Sequence, residues 1–165
     1  MSQQPVINGL EFARHGETCS GTIPFGELAR VRGLLSGGAG AVRYRVSGRL
    51  SEDGKAFLHI AVDGRLPLTC QRCLVEMEYP LAIDAEVELV ADEAALEARA
   101  EDAADAVVAG KKMEVASLVE EEILLGIPLS PRHDEGACAS PVSSGTGGAE
   151  NAFGALAALK QREMN

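Results

Sequence analysis

The chain has 165 residues, 46% hydrophobic and 24% charged, which is enough for a packed core and excludes wholesale disorder. Aromatic residues are 4% with no Trp, so Val, Leu, Ile and Ala must build that core. The net charge is −10, and all of it lies between Asp84 and Glu122, where thirteen acids face three bases; such a belt repels phosphate and attracts a basic protein, while the balanced remainder can touch nucleic acid locally.

In chain order, residues 1–24 read as irregular, with a short strand around Val6 to Phe12. Phe25, Leu28, Val31, Leu34 and Leu35 have helical spacing after Pro24, and SGGAG at 36–40 stops the helix. From Ala41 the period becomes two. Val42, Tyr44, Val46 and Leu50 alternate with Arg43, Arg45, Ser47 and Arg49, which predicts a half-buried strand with arginines outside. A turn at 51–54 leads to a second strand through Ala56, Leu58, Ile60 and Val62. Asp63-Gly64 predicts another turn, and Leu66, Leu68 and Cys70 a third strand. Odd positions from Val75 to Leu89 are apolar against acidic even ones. That run is long for one strand, so a bend or a break is expected at Pro80. Residues 91–112 read as a flexible acidic insert. Val115, Leu118, Val119, Ile123 and Leu124 predict a helix over 114–126, ended by Pro128 and Pro131. The acids at 120–122 read as its solvated face. Residues 136–150 are a Gly/Ser-rich linker by composition. Phe153, Leu156 and Leu159 give a C-terminal docking tail over 151–165.

The pattern predicts an α+β fold: a curled antiparallel sheet or partial barrel from about 41 to 90, with flanking helices and flexible acidic and Gly/Ser-rich segments. One domain is expected over 1–135. No run of 18 apolar residues suggests a membrane helix, and the first residues lack a secretory pattern. A reducing cytoplasm is the expected compartment, where cysteines are thiols or metal ligands.

Cys70-Gln71-Arg72-Cys73 carries the main chemical potential. A redox pair would need its first cysteine at a helix N-terminus, and here a strand pattern follows. A zinc site would need two further ligands, and His133 and Cys138 supply them, giving Cys3His. Plain buried packing of the cysteines is the third reading, and Cys19 reads as a simple thiol. No GxSxG, phosphate-binding glycine loop or HExxH occurs. His15 and His59 have no recognisable catalytic neighbours, so no catalytic residue is assigned. Arg43, Arg45 and Arg49, beside Phe57 and His59, form a candidate RNA-binding face, with Arg72 presented between the cysteines.

Two blocks, LPLTCQRCLVEMEYPL at 66–81 and VEEEILLGIPLSPRHDEGAC at 119–138, resemble the paired signatures of the YceD family, the large ribosomal RNA subunit accumulation proteins. The tail NAFGALAALK at 151–160 is similar to that family's closing motif, with Ala152 where Pro is usual. The resemblance implies a ribosome biogenesis factor, not an enzyme, needed for synthesis or accumulation of large-subunit (23S) ribosomal RNA. Its implied partners are that RNA, a pre-ribosomal particle or a basic ribosomal protein, with no membrane and no small-molecule substrate. Two alternatives stand beside it: a redox or metal-handling protein using Cys70 and Cys73, and an acidic chaperone for a basic ribosomal protein. The resemblance gives added weight to zinc at Cys70, Cys73, His133 and Cys138, and to the RNA-facing arginines.

Overall fold

The computed structural model describes residues 5–99 and 105–138. Its elements in chain order are β1 (Val6–Ile7), α1 (Gly9–Arg14), β2 (Thr18–Pro24), a 3-10 turn (Phe25–Glu27), α2 (Ala29–Arg32), β3 (Ala41–Leu50), β4 (Ala56–Thr69), β5 (Glu76–Val90), α3 (Glu93–Glu97), β6 (Ala106–Val108), β7 (Met113–Glu114) and α4 (Val115–Gly126). The fold is mixed α+β. Five strands form one open sheet in the order β2-β3-β4-β5-β6, with no closure into a barrel. Neighbours from β2 to β5 are antiparallel, and β6 runs parallel to β5. β1 and β7 pair separately.

The alternation sets the two faces of this sheet. Val42, Tyr44 and Val46 of β3 and Ala56, Leu58, Ile60, Val62, Leu66 and Leu68 of β4 are buried. Phe12 and Ala13 of α1, Val31 of α2, and Val115, Val119 and Ile123 of α4 belong to the same core. The four-residue steps from Val115 to Val119 to Ile123 explain why α4 is a helix with one buried face. It ends where Ile127 turns extended, as a residue before proline must. Gly48 lets α1 cross β3 closely: a Cβ there would stand 2.5 Å from the Phe12 carbonyl oxygen.

Several local expectations are corrected. Asp63-Gly64 does not turn. β4 runs 14 residues through it, and Gly64 gives the room that crossing near Val42 requires, since a Cβ would meet Val42 Cγ1 at 3.0 Å. Pro80 does not break β5, which runs 15 residues. Opposite Pro80 lies Arg65 of β4, but β6 pairs only with Glu88 to Val90. Along its first part β5 is therefore a sheet edge among the described residues, where a proline costs no ladder bond. Residues before 25 hold α1 and β2, not irregular chain, because β2 finds its partner in β3. The expected helix over 25–35 shortens to the 3-10 turn and α2. The stretch 91–112 contains α3 and β6. Arg99 ties it back to Glu88 at 2.5 Å, and Asp92 caps α3 by accepting from the Ala95 amide at 2.8 Å. The linker from 139 onward and the tail at 151–165 lie outside the described residues.

Glu120 is the clearest departure. It is buried, not solvated. Its Oε1 accepts from the Arg30 and Val31 amides at 2.7 and 3.2 Å, and its Oε2 from Arg30 Nε at 3.1 Å. α2 has no side-chain cap of its own, so Glu120 caps it from 90 residues away.

Candidate metal centre and polar sheet face

The hairpin joining β4 to β5 closes at residues 70–75. Thr69 stands opposite Glu76, the Cys70 amide donates to the Val75 carbonyl at 3.0 Å, and the Leu74 amide donates to the Cys70 carbonyl at 2.8 Å. The two cysteines thus sit on one tight knuckle. Cys70 is fully buried and Cys73 partly so. Leu74 closes the knuckle with φ of +60°, the left-handed conformation that an L side chain adopts at a cost of about 1–2 kcal/mol. A strand follows the knuckle, so no helix dipole acts on either thiol.

Chain connectivity carries the next ligand toward this knuckle. The Gln71 amide donates to the Pro131 carbonyl at 2.8 Å, and His133 is two residues further on. A second unit begins at His133. Within the second, the described residues form a hook: the Ala137 amide donates to the Asp134 carbonyl at 3.0 Å, Gly136 has φ of +83°, and Cys138 Sγ lies 3.7 Å from His133 Nδ1. The ligand atoms of Cys70, Cys73, His133 and Cys138 all lie within 4.8 Å of one another. A zinc tetrahedron with Zn–S bonds of about 2.3 Å has edges of about 3.8 Å, so these four could hold a metal after a small contraction.

The expected arginines lie on the other face of the sheet. Arg43, Arg45 and Arg49 project from β3 and are exposed. Arg43 is held by Asp63, with Nε 2.9 Å from Oδ2. Arg49 donates to Glu86 at 2.7 Å and lies over the Phe57 ring, 4.5 Å from its centroid. Arg45, opposite Ala61 and Ser20, forms no ion pair among the described residues. Arg72 is exposed on the knuckle, away from that column. His59 Nε2 meets Asp84 at 2.5 Å, a neighbour that spacing did not reveal. Lys55 and Arg99 both reach Glu88. The Arg99 hydrogen bond outweighs burial and holds the Glu88 carboxyl below its ordinary value. Four acids of the belt, Asp84, Glu86, Glu88 and Glu120, are therefore paired within the fold. Counting back along the hairpin from Thr69 opposite Glu76 puts His59 opposite Glu86 and Ala61 opposite Asp84, so the sequence does contain these pairings once the knuckle is fixed.

Among the described residues no helix is long and apolar enough to cross a membrane. A family model described as large ribosomal RNA subunit accumulation protein YceD matches residues 58–160, more than half of the chain. No curated protein and no solved structure matches it.

Proposed function

The chain belongs to the YceD family, and from that premise we propose that it is a non-catalytic, cytoplasmic ribosome biogenesis factor required for accumulation of the large-subunit (23S) ribosomal RNA. The family match over 58–160 carries this reading. The partner in this reading is the large-subunit RNA within a pre-ribosomal particle. Zinc at Cys70, Cys73, His133 and Cys138 fixes the knuckle, and Arg43, Arg45, Arg49 and Arg72 face the RNA. Depletion of the protein tests it. Sucrose gradients of depleted cells are expected to show a loss of large-subunit particles. A normal gradient together with an altered cellular thiol balance would move the assignment to redox chemistry. The buried Cys70 and the strand after the knuckle weigh against that alternative. Internal pairing of Asp84, Glu86, Glu88 and Glu120 weighs against an acidic chaperone, which needs its acids available.

The arginines give a second expected result. Replacing Arg43, Arg45 and Arg49 together by Glu is expected to abolish co-sedimentation with pre-ribosomal particles while the fold survives, because exposed ion pairs contribute little stability. Arg45→Glu alone should give the largest single loss, since Arg43 and Arg49 already share their charge with Asp63 and Glu86. Binding should weaken steeply with salt. Co-sedimentation of the triple variant at the wild-type level would remove this face from the mechanism.

A further inference from the structure

We propose that the open edge of β5 between Ala82 and Glu86 binds an extended, basic segment of a partner protein, which adds a strand to the sheet and sets its lysine or arginine side chains against Asp105, Glu121 and Glu122. The inference goes beyond the proposed action on RNA and does not depend on it.

The edge follows from the alternation of the strand itself. Along an antiparallel strand the amide and carbonyl of one residue point to the same side, and those of the next residue to the other. At the end of β5 the Glu88 amide donates to the Asp105 carbonyl at 2.8 Å, and the Val90 carbonyl accepts from the Ala109 amide at 2.8 Å, so the even-numbered residues address the outer side. β6 covers that side only at Glu88 to Val90. Among the described residues the outward groups of Ala82, Asp84 and Glu86 therefore meet no strand, and all three residues are exposed. Edges are commonly blunted by proline or by charged side chains. Pro80 blunts this one at its own position. From Leu81 to Val87 there is no proline and no lysine, and the two acids are drawn inward across β4: Asp84 meets His59 at 2.5 Å, and Glu86 accepts from Arg49 at 2.7 Å. A stretch left unguarded in this way is a template for strand addition.

The charge beside the edge selects the occupant. The end of α4 lies against Ile83: a Cβ on Gly126 would stand 3.1 Å from Ile83 Cδ1. α4 thus runs beside the edge, and a groove of about 250 Å³ opens there, lined among others by Val87, Leu118, Leu125, Asp105, Glu121 and Glu122. Leu125 is 74% exposed. None of the three acids has an ion pair among the described residues. Burial first, and then the charges of Asp105 and Glu121, push the Glu122 carboxyl above its ordinary value. Apolar walls beside three unpaired carboxylates suit a lysine or arginine, whose aliphatic stem packs while its charged head stays at the acids. RNA would meet only repulsion here, and a second copy of the chain would bring a charge of −10 against −10.

The test uses the full chain and a short labelled peptide of alternating lysine and valine, followed by fluorescence anisotropy and by residue-resolved amide hydrogen exchange. In the free chain the Ala82, Asp84 and Glu86 amides are expected to exchange freely, and the peptide to protect them. Ala82→Pro removes one outward amide, as Pro80 already does nearby, and so keeps the ladder with β4. It is expected to weaken binding about tenfold. Glu121→Gln combined with Glu122→Gln should also weaken binding and flatten its salt dependence. The same peptide with glutamate in place of lysine should not bind. Amides already protected in the free chain overturn the proposal, because the edge is then filled by the chain itself. A wild-type chain that ignores the lysine peptide, or that dimerises through this edge, overturns it as well. Binding lost in the double glutamine variant but kept in Ala82→Pro shows attraction without strand addition and counts equally against it. Should Ala82→Pro fail to fold, exchange protection in the wild-type chain decides alone. None of these measurements contains RNA, so their failure leaves the reading on ribosomal RNA standing.

Discussion

Purified without chelator, the chain is expected to carry about one zinc per molecule, and Cys70→Ser to lose it. Cys70 is fully buried at the start of the knuckle, so its thiolate is the ligand least able to be replaced by water. Metal bound by Cys70, Cys73, His133 and Cys138 closes a loop of about 60 residues. Releasing such a closure costs on the order of 4 kcal/mol by chain entropy alone. At this chain length that is a fall in melting temperature of roughly 10 °C. Cys19→Ser serves as the control. Cys19 lies on β2, where burial raises its thiol pKa, and it is not among the clustered ligands. Elemental analysis and thermal melts with and without chelator decide the matter. Metal-free protein that melts at the same temperature with added zinc would leave the four residues as packing.

Substitution of Glu120 is the second large effect. Glu120→Ala removes the carboxylate that accepts from two amides and one guanidinium at the start of α2, and leaves the buried Val31 amide without its acceptor. Charge-assisted hydrogen bonds of this kind contribute about 1.5–3 kcal/mol, so a loss near the upper end is expected. Glu120→Gln keeps the shape and removes the charge, and should cost less. Burial raises the Glu120 carboxyl, but the Arg30 side chain and the Val31 and Arg30 amides outweigh it and hold the pKa below its ordinary value. The native state therefore binds this proton more weakly than the unfolded chain does. The stabilisation is complete above the unfolded carboxyl pKa and is lost as pH falls through the folded one. The gap between wild type and Glu120→Gln should thus narrow on acidification in denaturant titrations. A gap independent of pH would show that Glu120 acts through shape alone.

The long strands were legible in the sequence because burial on one side imposes a period of two, and that period survives without an alignment. Val42, Tyr44 and Val46 inside with Arg43, Arg45 and Arg49 outside follow from it directly. The even apolar positions also run in phase from Ala56 to Cys70, which marks one strand despite Asp63-Gly64. A local turn propensity of Asp-Gly was overridden there by pairing on both sides. Pro80 was misleading for a related reason. Whether a proline breaks a strand depends on whether its missing N–H faces a neighbour, and that is set by where β6 ends. Cys70, Cys73, His133 and Cys138 were candidate metal ligands by residue type and spacing, beside the redox and packing readings. Their convergence was not legible, because it depends on the Gln71 amide holding Pro131.

By itself the sequence determined the class of fold, the core-facing positions of β3, β4, β5 and α4, and the family. Each of these is a matter of residue type repeated at a fixed spacing, which local geometry converts into a face or a turn. Tertiary structure alone decided the fate of the charges. An acid in a helix reads as solvated until the fold places α2 against it, and Glu120 then becomes a buried cap. Arginines read as free until register sets Asp63 and Glu86 beside Arg43 and Arg49, which leaves Arg45 as the one of the three without an ion pair among the described residues. The left-handed backbone at Leu74 belongs to the same class. It is imposed by closing a turn between two paired strands, and the preference of leucine itself runs against it.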